Sequence, residues 1–305
     1  GGGGAMQEEP ADENCDGNID EPILPCDANL AFNDQTAVSA AKSIGLCQQT
    51  TASDKTFGVI NAAWVRANGT PTTPTFNANI QADWGPNVPV REGGRMLVLS
   101  SGHALLPNQP NNCGTLSCYT SGAGTPPPNF PANVPNCAGG TNINDDIALE
   151  VQLRAPMNAT GLSYEFTFYS HEYPEWVCTD YNDQFIALVT PPPMGSIGGN
   201  ISFDSQTNPV SVNIALFDVC QGCTLGTNEL LGTGFDTWGY DGLADAGATS
   251  WLQTTAPIEG SQDLTIRFAI WDTGDTAYDS TVVLDNFEWI ADGGTVEVGT
   301  QPVPK

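Results

Sequence analysis

Apolar residues at every second position, in segments separated by turn-forming residues, are the feature that most restricts the fold of this chain. Residues 162–168 and 264–270 each carry four large apolar side chains at alternate positions. A period of two places such side chains on one face of a β-strand. The intervening Gly, Pro and Asn residues favour tight turns over the crossover helices that parallel strands require. The pattern therefore predicts an all-β fold, an antiparallel two-sheet β-sandwich like a jelly roll, with one short N-terminal helix and long disulfide-tied loops.

Eight segments carry a strand-like pattern, and one segment carries a helical pattern. The predicted strands are residues 57–65, 95–100, 146–153, 162–170, 184–189, 210–216, 264–271 and 281–290. The predicted helix covers residues 34–47, where Asp34 is a suitable N-terminal cap. Its apolar face, at helical spacing, is formed by Ala37, Val38, Ala41 and Ile44.

Composition changes divide the chain into four parts. We expect residues 1–6 to be a cloning remnant and residues 7–33 to be an acidic, Cys-containing metal-binding segment. Residues 34–292 are predicted to form the β-sandwich domain, and residues 293–305 a linker toward a missing C-terminal anchor. Within the domain, residues 105–145 hold three cysteines and many Pro and Asn, which predicts a long disulfide-tied loop.

The charge balance excludes two classes of partner. The chain has 35 Asp and Glu residues against 8 Lys and Arg residues, a formal net charge of −27. Binding of nucleic acid needs clustered basic residues that neutralise phosphates, so we expect no nucleic-acid partner. Attachment to anionic lipid also needs basic residues. No apolar run of about 18 residues occurs, so we expect no membrane insertion.

Nine cysteines indicate the compartment of the protein. They lie in polar segments rich in Gly, Asn and Pro, which is typical of disulfides in exported proteins rather than of reduced core thiols. Zinc is the competing interpretation for Cys220 and Cys223, but neither a second Cys pair at finger spacing nor a nearby His accompanies them. We expect the local disulfides Cys15–Cys26 and Cys220–Cys223. Because the count is odd, one thiol is left free or has a partner outside this sequence.

Oxygen-bearing side chains recur at every second residue in the acidic segment near the N-terminus. They are Asp12, Asn14, Asp16, Asn18 and Asp20. This spacing wraps a chain around a hard cation, and Gly17 permits the sharp turn, so the segment predicts a Ca²⁺ site. An EF-hand loop would have Glu at its twelfth position, where this chain has Ile23. A solvated acidic turn without an ion is the alternative.

A second group of acids surrounds the last two predicted strands and predicts another Ca²⁺ site. The candidate ligands are Glu172, Asn182, Asp183, Asp272, Asp275, Asp279 and Asp285. Three aspartates within residues 272–279 repel one another unless a cation or hydrogen bonds compensate. Asp285 lies in an otherwise apolar strand, where an unpaired carboxylate is costly. The alternative is that Asp272 and Asp275 cap turns while Asp285 accepts backbone N–H bonds.

Aromatic residues in Gly- and Asp-rich stretches are candidates for ligand binding. Trp176, Trp238 and Tyr240 could stack on sugar rings, and the alternative is that they close the ends of the sandwich. An enzymatic role is the competing hypothesis, since His103, His171 and a carboxylate would form a metal triad if they converged. Paired carboxylates also allow glycosidase chemistry. No nucleophile elbow and no phosphate-binding glycine loop occurs in the sequence.

Two resemblances accompany these motifs. Residues 14–26 resemble the MopE-type metal-binding motif of exported bacterial proteins, which runs N-C-D-G-x-x-D-E and then Cys. Residues 97–102, 166–185, 268–275 and 284–287 resemble the choice-of-anchor L domain of bacterial, myxobacterial-like surface proteins. The second resemblance implies an exported module that is held on the surface by interchangeable C-terminal anchors.

Together these observations lead to one functional expectation and two alternatives. We expect an exported, calcium-binding surface module for adhesion or recognition, whose partner is a surface glycan or a protein ligand. The first alternative is a metal-dependent or carboxylate-based hydrolase. The second is a structural subunit of a surface layer or appendage.

Overall fold

The computed structural model describes residues 25–214, 216–291 and 293–304. One α-helix, α1 (Ala37–Ser43), precedes the strands, and a short 3-10 helix covers Asn228–Leu230. The strands in chain order are β1 Gly58–Val65, β2 Ala78–Gln81, β3 Met96–Ser100, β4 Ala123–Gly124, β5 Ile143–Arg154, β6 Gly161–Ser170, β7 Gln184–Thr190, β8 Val210–Ser211, β9 Gly247–Ala248, β10 Leu252–Pro257, β11 Asp263–Thr273, β12 Ser280–Ile290 and β13 Gly299–Pro302.

The described strands form two antiparallel sheets. The first has the order β1-β5-β11-β7-β8, with β4 paired to β5. The second has the order β13-β10-β6-β12-β3-β2, with β9 paired to β6. The prediction of a mostly-β, two-sheet sandwich with one short N-terminal helix is therefore confirmed. Strands that are neighbours in each sheet are mostly distant in sequence. In the first sheet, the beginnings of β5 and β7 lie beside the end of β11, so these three strand ends meet at one end of the sandwich.

The core lies between the two sheets and is built by the alternating faces that the sequence predicts. Tyr164 and Phe166 of β6 face Phe268 of β11 and Phe185 of β7, and all four residues are 0–1% exposed. The ring centroids of Tyr164 and Phe268 are 5.1 Å apart, as are those of Phe166 and Phe185. Each fully buried side chain of this kind contributes about 1.5–3 kcal/mol. The two central strands β6 and β11 thus hold the sheets face to face.

The helix is shorter than the predicted range. Its N-terminal cap is Thr36, and Asp34 instead braces the first turn by accepting hydrogen bonds from Thr36 N at 3.0 Å and Ser39 Oγ at 2.6 Å. Val38, predicted on the apolar face, is 38% exposed. The buried face is formed by Ala40, Ala41 and Ile44. Ala41 and Ile44 are therefore buried as predicted, and the buried face extends to Ala40 and leaves Val38 in solvent.

Several strands escape the sequence pattern, and one predicted strand is shortened. The strands β2, β4, β9, β10 and β13 were not predicted, because they are short or carry few large apolar residues. The segment predicted as a strand over residues 210–216 pairs only at Val210–Ser211 before the chain turns. Strand β13 lies in the tail predicted as a linker, and it pairs along β10.

Eight of the nine cysteines lie in the described residues and form four disulfides. These are Cys26–Cys47, Cys113–Cys118, Cys137–Cys178 and Cys220–Cys223. The predicted Cys220–Cys223 bond is confirmed. The predicted Cys15–Cys26 bond is wrong, because Cys26 pairs with Cys47 across a Cα–Cα distance of 5.8 Å. The cause is the buried carboxylate of Asp27, which accepts hydrogen bonds from Gly94 N and Arg95 N and fixes this segment against the domain. Cys15 lies outside the described residues.

Candidate functional site

Five acidic residues meet at one end of the sandwich, and we refer to them as the carboxylate cluster. They are Asp145, Glu172, Asp183, Asp272 and Asp279. Asp145 and Asp272 lie on the paired strands β5 and β11 of the first sheet. Glu172 follows β6, while Asp183 immediately precedes β7 and Asp279 immediately precedes β12. All five are 0–5% exposed, so the fold buries five acids in one place.

Asp183 links the two sheets through hydrogen bonds. Its Oδ1 accepts a bond from Thr273 N of β11 at 2.9 Å, and its Oδ2 accepts one from Ser280 Oγ of β12 at 2.7 Å. Its own backbone N–H donates to Glu172 Oε2 at 3.2 Å. These bonds fix the carboxylates at the sheet junction, but they satisfy only Asp183 and one oxygen of Glu172.

The remaining carboxylates of the cluster are left short of hydrogen-bond donors. Both oxygens of Asp272 lack a partner among the described residues, and so do Oδ2 of Asp145 and Oδ1 of Asp279. The side-chain oxygen of the neighbouring Asn182, which is 2% exposed, also lacks one. Buried polar atoms without partners are rare in folded proteins and each needs an explanation. Five unpartnered oxygens lie at one sheet junction, so the described hydrogen bonds do not account for the burial of these groups.

Electrostatics point to the same conclusion. Burial, and then the charge of Asp183, raises the pKa of Asp272 well above its usual range. Burial and the charge of Asp272 raise the pKa of Asp279 well above its usual range. Burial and the charge of Glu172 raise the pKa of Asp183 in the same way. The pKa of Glu172 is raised mainly by burial. No described Lys or Arg forms an ion pair with the cluster, since the four pairs use Asp146, Glu150, Glu165 and Asp263.

The cluster is a row of carboxylates rather than a compact triad. Among the described residues, no three of its members bring their oxygens within 4.8 Å of one another. Mutual repulsion keeps buried like charges apart. A row of this kind suits a large cation that takes further oxygen ligands from amides, backbone carbonyls or water.

The predicted second set of metal ligands is divided by the fold. Glu172, Asp183, Asp272 and Asp279 converge, with Asn182 beside them, and Asp275 lines a small pocket with Glu172. Asp285 lies elsewhere. Its carboxylate accepts hydrogen bonds from Arg91 N at 2.7 Å, Glu92 N at 3.2 Å and Asn286 N at 2.7 Å. These bonds match the alternative in which backbone N–H groups satisfy Asp285.

Sequence reasoning missed Asp145. The available signal was the pair Asp145-Asp146 at the beginning of an apolar strand. Asp146 is compensated, because Arg66 forms an ion pair with it and Ala67 N donates to it at 2.7 Å. Asp145 Oδ1 accepts backbone N–H bonds from the segment 120–122, and its Oδ2 remains for the cluster. The N-terminal candidate ligands lie outside the described residues, so that Ca²⁺ site stays a prediction; they are Asp12, Asn14, Asp16, Asn18 and Asp20.

A second acidic group, which we call the surface triad, spans two loops. It consists of Glu175, Asp241 and Asp245, each of which offers an oxygen within 4.8 Å of the others; Glu175 lies on a different loop from the two aspartates, and only Asp241 is exposed. Burial, and then the charges of Asp245 and Asp241, raises the pKa of Glu175. This group could hold a metal ion. No sequence pattern singled it out, because Glu175 lies 66 positions before Asp241, and only Asp241 and Asp245 lie close together in the sequence.

The three aromatic residues predicted to bind a ligand do not form one surface. Trp176 and Tyr240 contact each other with ring centroids 5.3 Å apart, and Tyr278 lies 6.1 Å from both. This aromatic group adjoins the surface triad. Trp238, 69% exposed, lines a different cleft.

The two histidines share that cleft without forming a metal triad. His171 is 8% exposed and stacks on Phe235 at 4.2 Å, and burial lowers its pKa to about 3. His103 Nδ1 donates a hydrogen bond to the backbone oxygen of Asn111 at 2.8 Å. The only described group of close ligand atoms that contains a histidine joins His103 to Cys113 and Cys118. Those two cysteines are bonded to each other, so they offer no thiolate for a metal.

Comparison with known proteins identifies the family. No curated protein and no solved structure shows significant similarity to this chain. In the described residues, no helix has the length and apolar character that a membrane crossing needs. The four disulfides and an anchor-type domain indicate an exported protein. A family model described as the choice-of-anchor L domain matches residues 34–288. The chain therefore belongs to the choice-of-anchor L domain family.

Proposed function

We propose that this protein is an exported, calcium-binding recognition module of the cell surface, with a Ca²⁺ ion at the carboxylate cluster. The observation that carries the proposal is Asp272, which is fully buried and accepts no hydrogen bond of ordinary geometry among the described residues, although the Ser101 hydroxyl lies near enough to lower its pKa. Burying an ionised carboxylate without compensation is prohibitively costly. An ion bound by Asp272 and its neighbours removes this cost.

Calcium fits the cluster better than other common cations. The candidate ligands are all oxygens, which favours Ca²⁺ or Mg²⁺ over Zn²⁺. Mg²⁺ demands a near-ideal octahedron at about 2.0–2.1 Å, whereas Ca²⁺ accepts six to eight ligands at about 2.3–2.6 Å in variable geometry. The open row of carboxylates, with Asn182 beside it, matches the second requirement. The net charge of −27 also favours cation binding over anion binding.

The proposed ion connects the sheet junction to the exposed loops at that end. Glu172 and Asp183 bound the loop that carries Trp176, while Asp272 and Asp279 bound the loop that carries Tyr278. No three of these four described carboxylates are close enough to share one ion, so a cation held between Asp183 of the first loop and Asp272 of the second would tie the two loops together. Recognition or adhesion at this end of the sandwich then depends on calcium, because the ion orders the loops that carry the half-buried Trp176 and Tyr278.

A metal-dependent or carboxylate-based hydrolase is the enzymatic alternative, since raised pKa values are typical of general acids. Burial argues against it, because Asp183 and Asp272 are 0% exposed and a substrate bond cannot reach them. A structural subunit of a surface layer or appendage requires self-association. Size-exclusion chromatography with light scattering would separate that role from monomeric recognition.

Isothermal titration of the chelator-stripped protein with CaCl₂ tests the proposal. We expect the wild-type chain to bind Ca²⁺. In Asp272→Asn, the affinity of the carboxylate cluster for Ca²⁺ should be weaker by at least about tenfold. Asp285→Asn is the matched control, because Asp285 is equally buried but satisfied by backbone N–H groups. Asp16→Asn separately reports the predicted N-terminal site. Absence of wild-type binding at about 1 mM Ca²⁺, the weak end for extracellular modules, would refute the proposal. So would an unchanged isotherm in Asp272→Asn.

A further inference from the structure

A cleft beside the carboxylate cluster has the form of a small-molecule site. Its volume is about 340 Å³, and its lining includes Trp84, His171, Phe235, Trp238 and Asp279. This volume is at the lower end of the roughly 300–1,000 Å³ of small-ligand pockets. Asp279 belongs to both the cleft and the cluster, so the two sites share a wall.

Buried polar atoms in the lining have no partner in the described part of the chain. They are Nε1 of Trp84 and Nδ1 of His171, in side chains that are 1% and 8% exposed. An indole N–H can only donate a hydrogen bond, while a neutral imidazole nitrogen donates or accepts according to its tautomer. Leaving such buried groups unpaired is costly. Hydroxyl groups of a ligand can pair with both kinds of atom, because a hydroxyl accepts and donates.

The cleft is electrically neutral apart from Asp279. Neither Lys nor Arg lies in its lining. The two histidines of the lining, His103 and His171, are packed against the rings of Phe76 and Phe235. An anionic ligand would find no counter-charge here and would meet the field of a strongly negative chain. The ligand that fits is therefore uncharged.

One aromatic ring at the cleft is free to stack on a ligand. Trp238 is 69% exposed, whereas the face of Phe235 is already covered by His171. The face of an indole ring carries negative charge density, which attracts the weakly positive C–H groups on one side of a pyranose ring. A flat apolar face at the rim and hydrogen-bonding atoms inside are complementary to a sugar ring.

We propose that this cleft binds one neutral hexopyranose unit of a glycan, with Trp238 stacked on the ring and Trp84 Nε1 donating to a ring hydroxyl. The inference names a ligand for the recognition role proposed above and rests on that role. It assigns the site to the cleft, and not to the aromatic group formed by Trp176, Tyr240 and Tyr278.

Saturation-transfer NMR and calorimetry at saturating Ca²⁺ test the inference. The probes are the methyl glycosides of glucose, galactose, mannose and N-acetylglucosamine, with methyl glucuronide as the anionic comparison. We expect at least one neutral glycoside to bind with a Kd of about 1 mM, and methyl glucuronide to bind at least about tenfold more weakly. Trp238→Ala, at an exposed position, should weaken binding about tenfold or more. Trp84→Phe keeps an aromatic ring, removes only the N–H donor, and should weaken binding about five- to tenfold.

Tyr240→Ala is the matched control, because it removes an exposed aromatic ring outside the cleft and should leave the affinity unchanged. The inference fails if none of the neutral glycosides binds to a protein whose calcium isotherm is intact, a result that leaves the calcium proposal standing. It also fails if Trp238→Ala binds like the wild type, or if Tyr240→Ala abolishes binding. Should Trp84→Phe not fold, Trp238→Ala still decides the question, since its side chain is largely in solvent.

Discussion

Strand β12 separates two buried carboxylate sites that look alike in sequence and differ in chemistry. Asp279 immediately precedes the strand, and Asp285 lies within it. Asp285 is 0% exposed and accepts three backbone hydrogen bonds, while Arg91 pairs with the neighbouring Glu165 at 2.6 Å. Asp279 accepts one bond, from Cys118 N, and its second oxygen has no partner in the described residues. Burial of an acid is therefore weak evidence for metal binding, and a deficit of donors is stronger evidence.

The pKa values of Asp285 and Asp272 reflect the same difference in hydrogen-bond donors. Burial raises the pKa of Asp285 to about 7, and the three N–H bonds limit the rise. In the carboxylate cluster, burial acts together with the charge of Asp183 to raise the pKa of Asp272 well above its usual range. Backbone N–H groups stabilise the carboxylate of Asp285. The carboxylates of the cluster need protons or a cation to compensate their charges.

Chelation should have the largest effect, and it should act on the cluster alone. A ligand present at 100–1,000 times its Kd stabilises the folded state by about 2.7–4.1 kcal/mol. For a domain of this size that corresponds to roughly 6–12 °C in melting temperature. We expect EDTA to lower the melting temperature of the wild-type chain by this amount and excess CaCl₂ to restore it, as followed by circular dichroism. Asp285→Asn should retain the response, and Asp272→Asn should lack it. An equal response in Asp272→Asn would move the stabilising ion away from the cluster.

The sequence predicts the sheets better than it predicts which acids belong together. The alternating faces of residues 162–168 and 264–270 determine a two-sheet core, because a period of two leaves each strand only one way to bury them. Glu172, Asp183, Asp272 and Asp279 were also predicted as ligands, since acids beside apolar strands are costly without compensation. This part of the site is encoded locally.

The fate of Asp285 is not encoded locally. Its donors Arg91 N and Glu92 N are 194 and 193 positions away and reach it only after the sheets pair. The same holds for Cys26, whose partner is set by the contact of Asp27 with residues 94–95. Backbone donors carry no residue-type signature, so no sequence motif announces them. Asp145 was missed for a related reason, because its compensated neighbour Asp146 makes the pair resemble an ordinary ion-pair site.

The pH dependence of stability should distinguish the two sites next. At Asp285 the folded-state pKa of about 7 lies above the unfolded value of 3.8. The folded protein therefore holds a proton between about pH 4 and 7 that the unfolded chain has released. The resulting stability is complete below pH 4 and is lost as the pH rises from about 4 to 7, by up to roughly 4 kcal/mol at 1.36 kcal/mol per pKa unit. Urea unfolding at saturating Ca²⁺, compared with Asp285→Asn, isolates this component. A wild-type stability that rises relative to Asp285→Asn over this range would contradict the assignment.

The surface triad should show the smallest effect, because its members are less buried than those of the carboxylate cluster, although Oε1 of Glu175 is buried and has no hydrogen-bond partner among the described residues. Asp241 is exposed, whereas every member of the carboxylate cluster is 0–5% exposed. Solvent screens the repulsion among exposed acids, so an ion there adds little to folding stability. We expect Asp241→Asn to change the free energy of unfolding by less than about 0.5 kcal/mol and to keep the full melting response to EDTA. Differential scanning fluorimetry with and without Ca²⁺ measures both quantities. If Asp241→Asn abolished the response to EDTA while Asp272→Asn preserved it, the stabilising ion would belong to the surface triad, and the donor deficit at Asp272 would need another explanation.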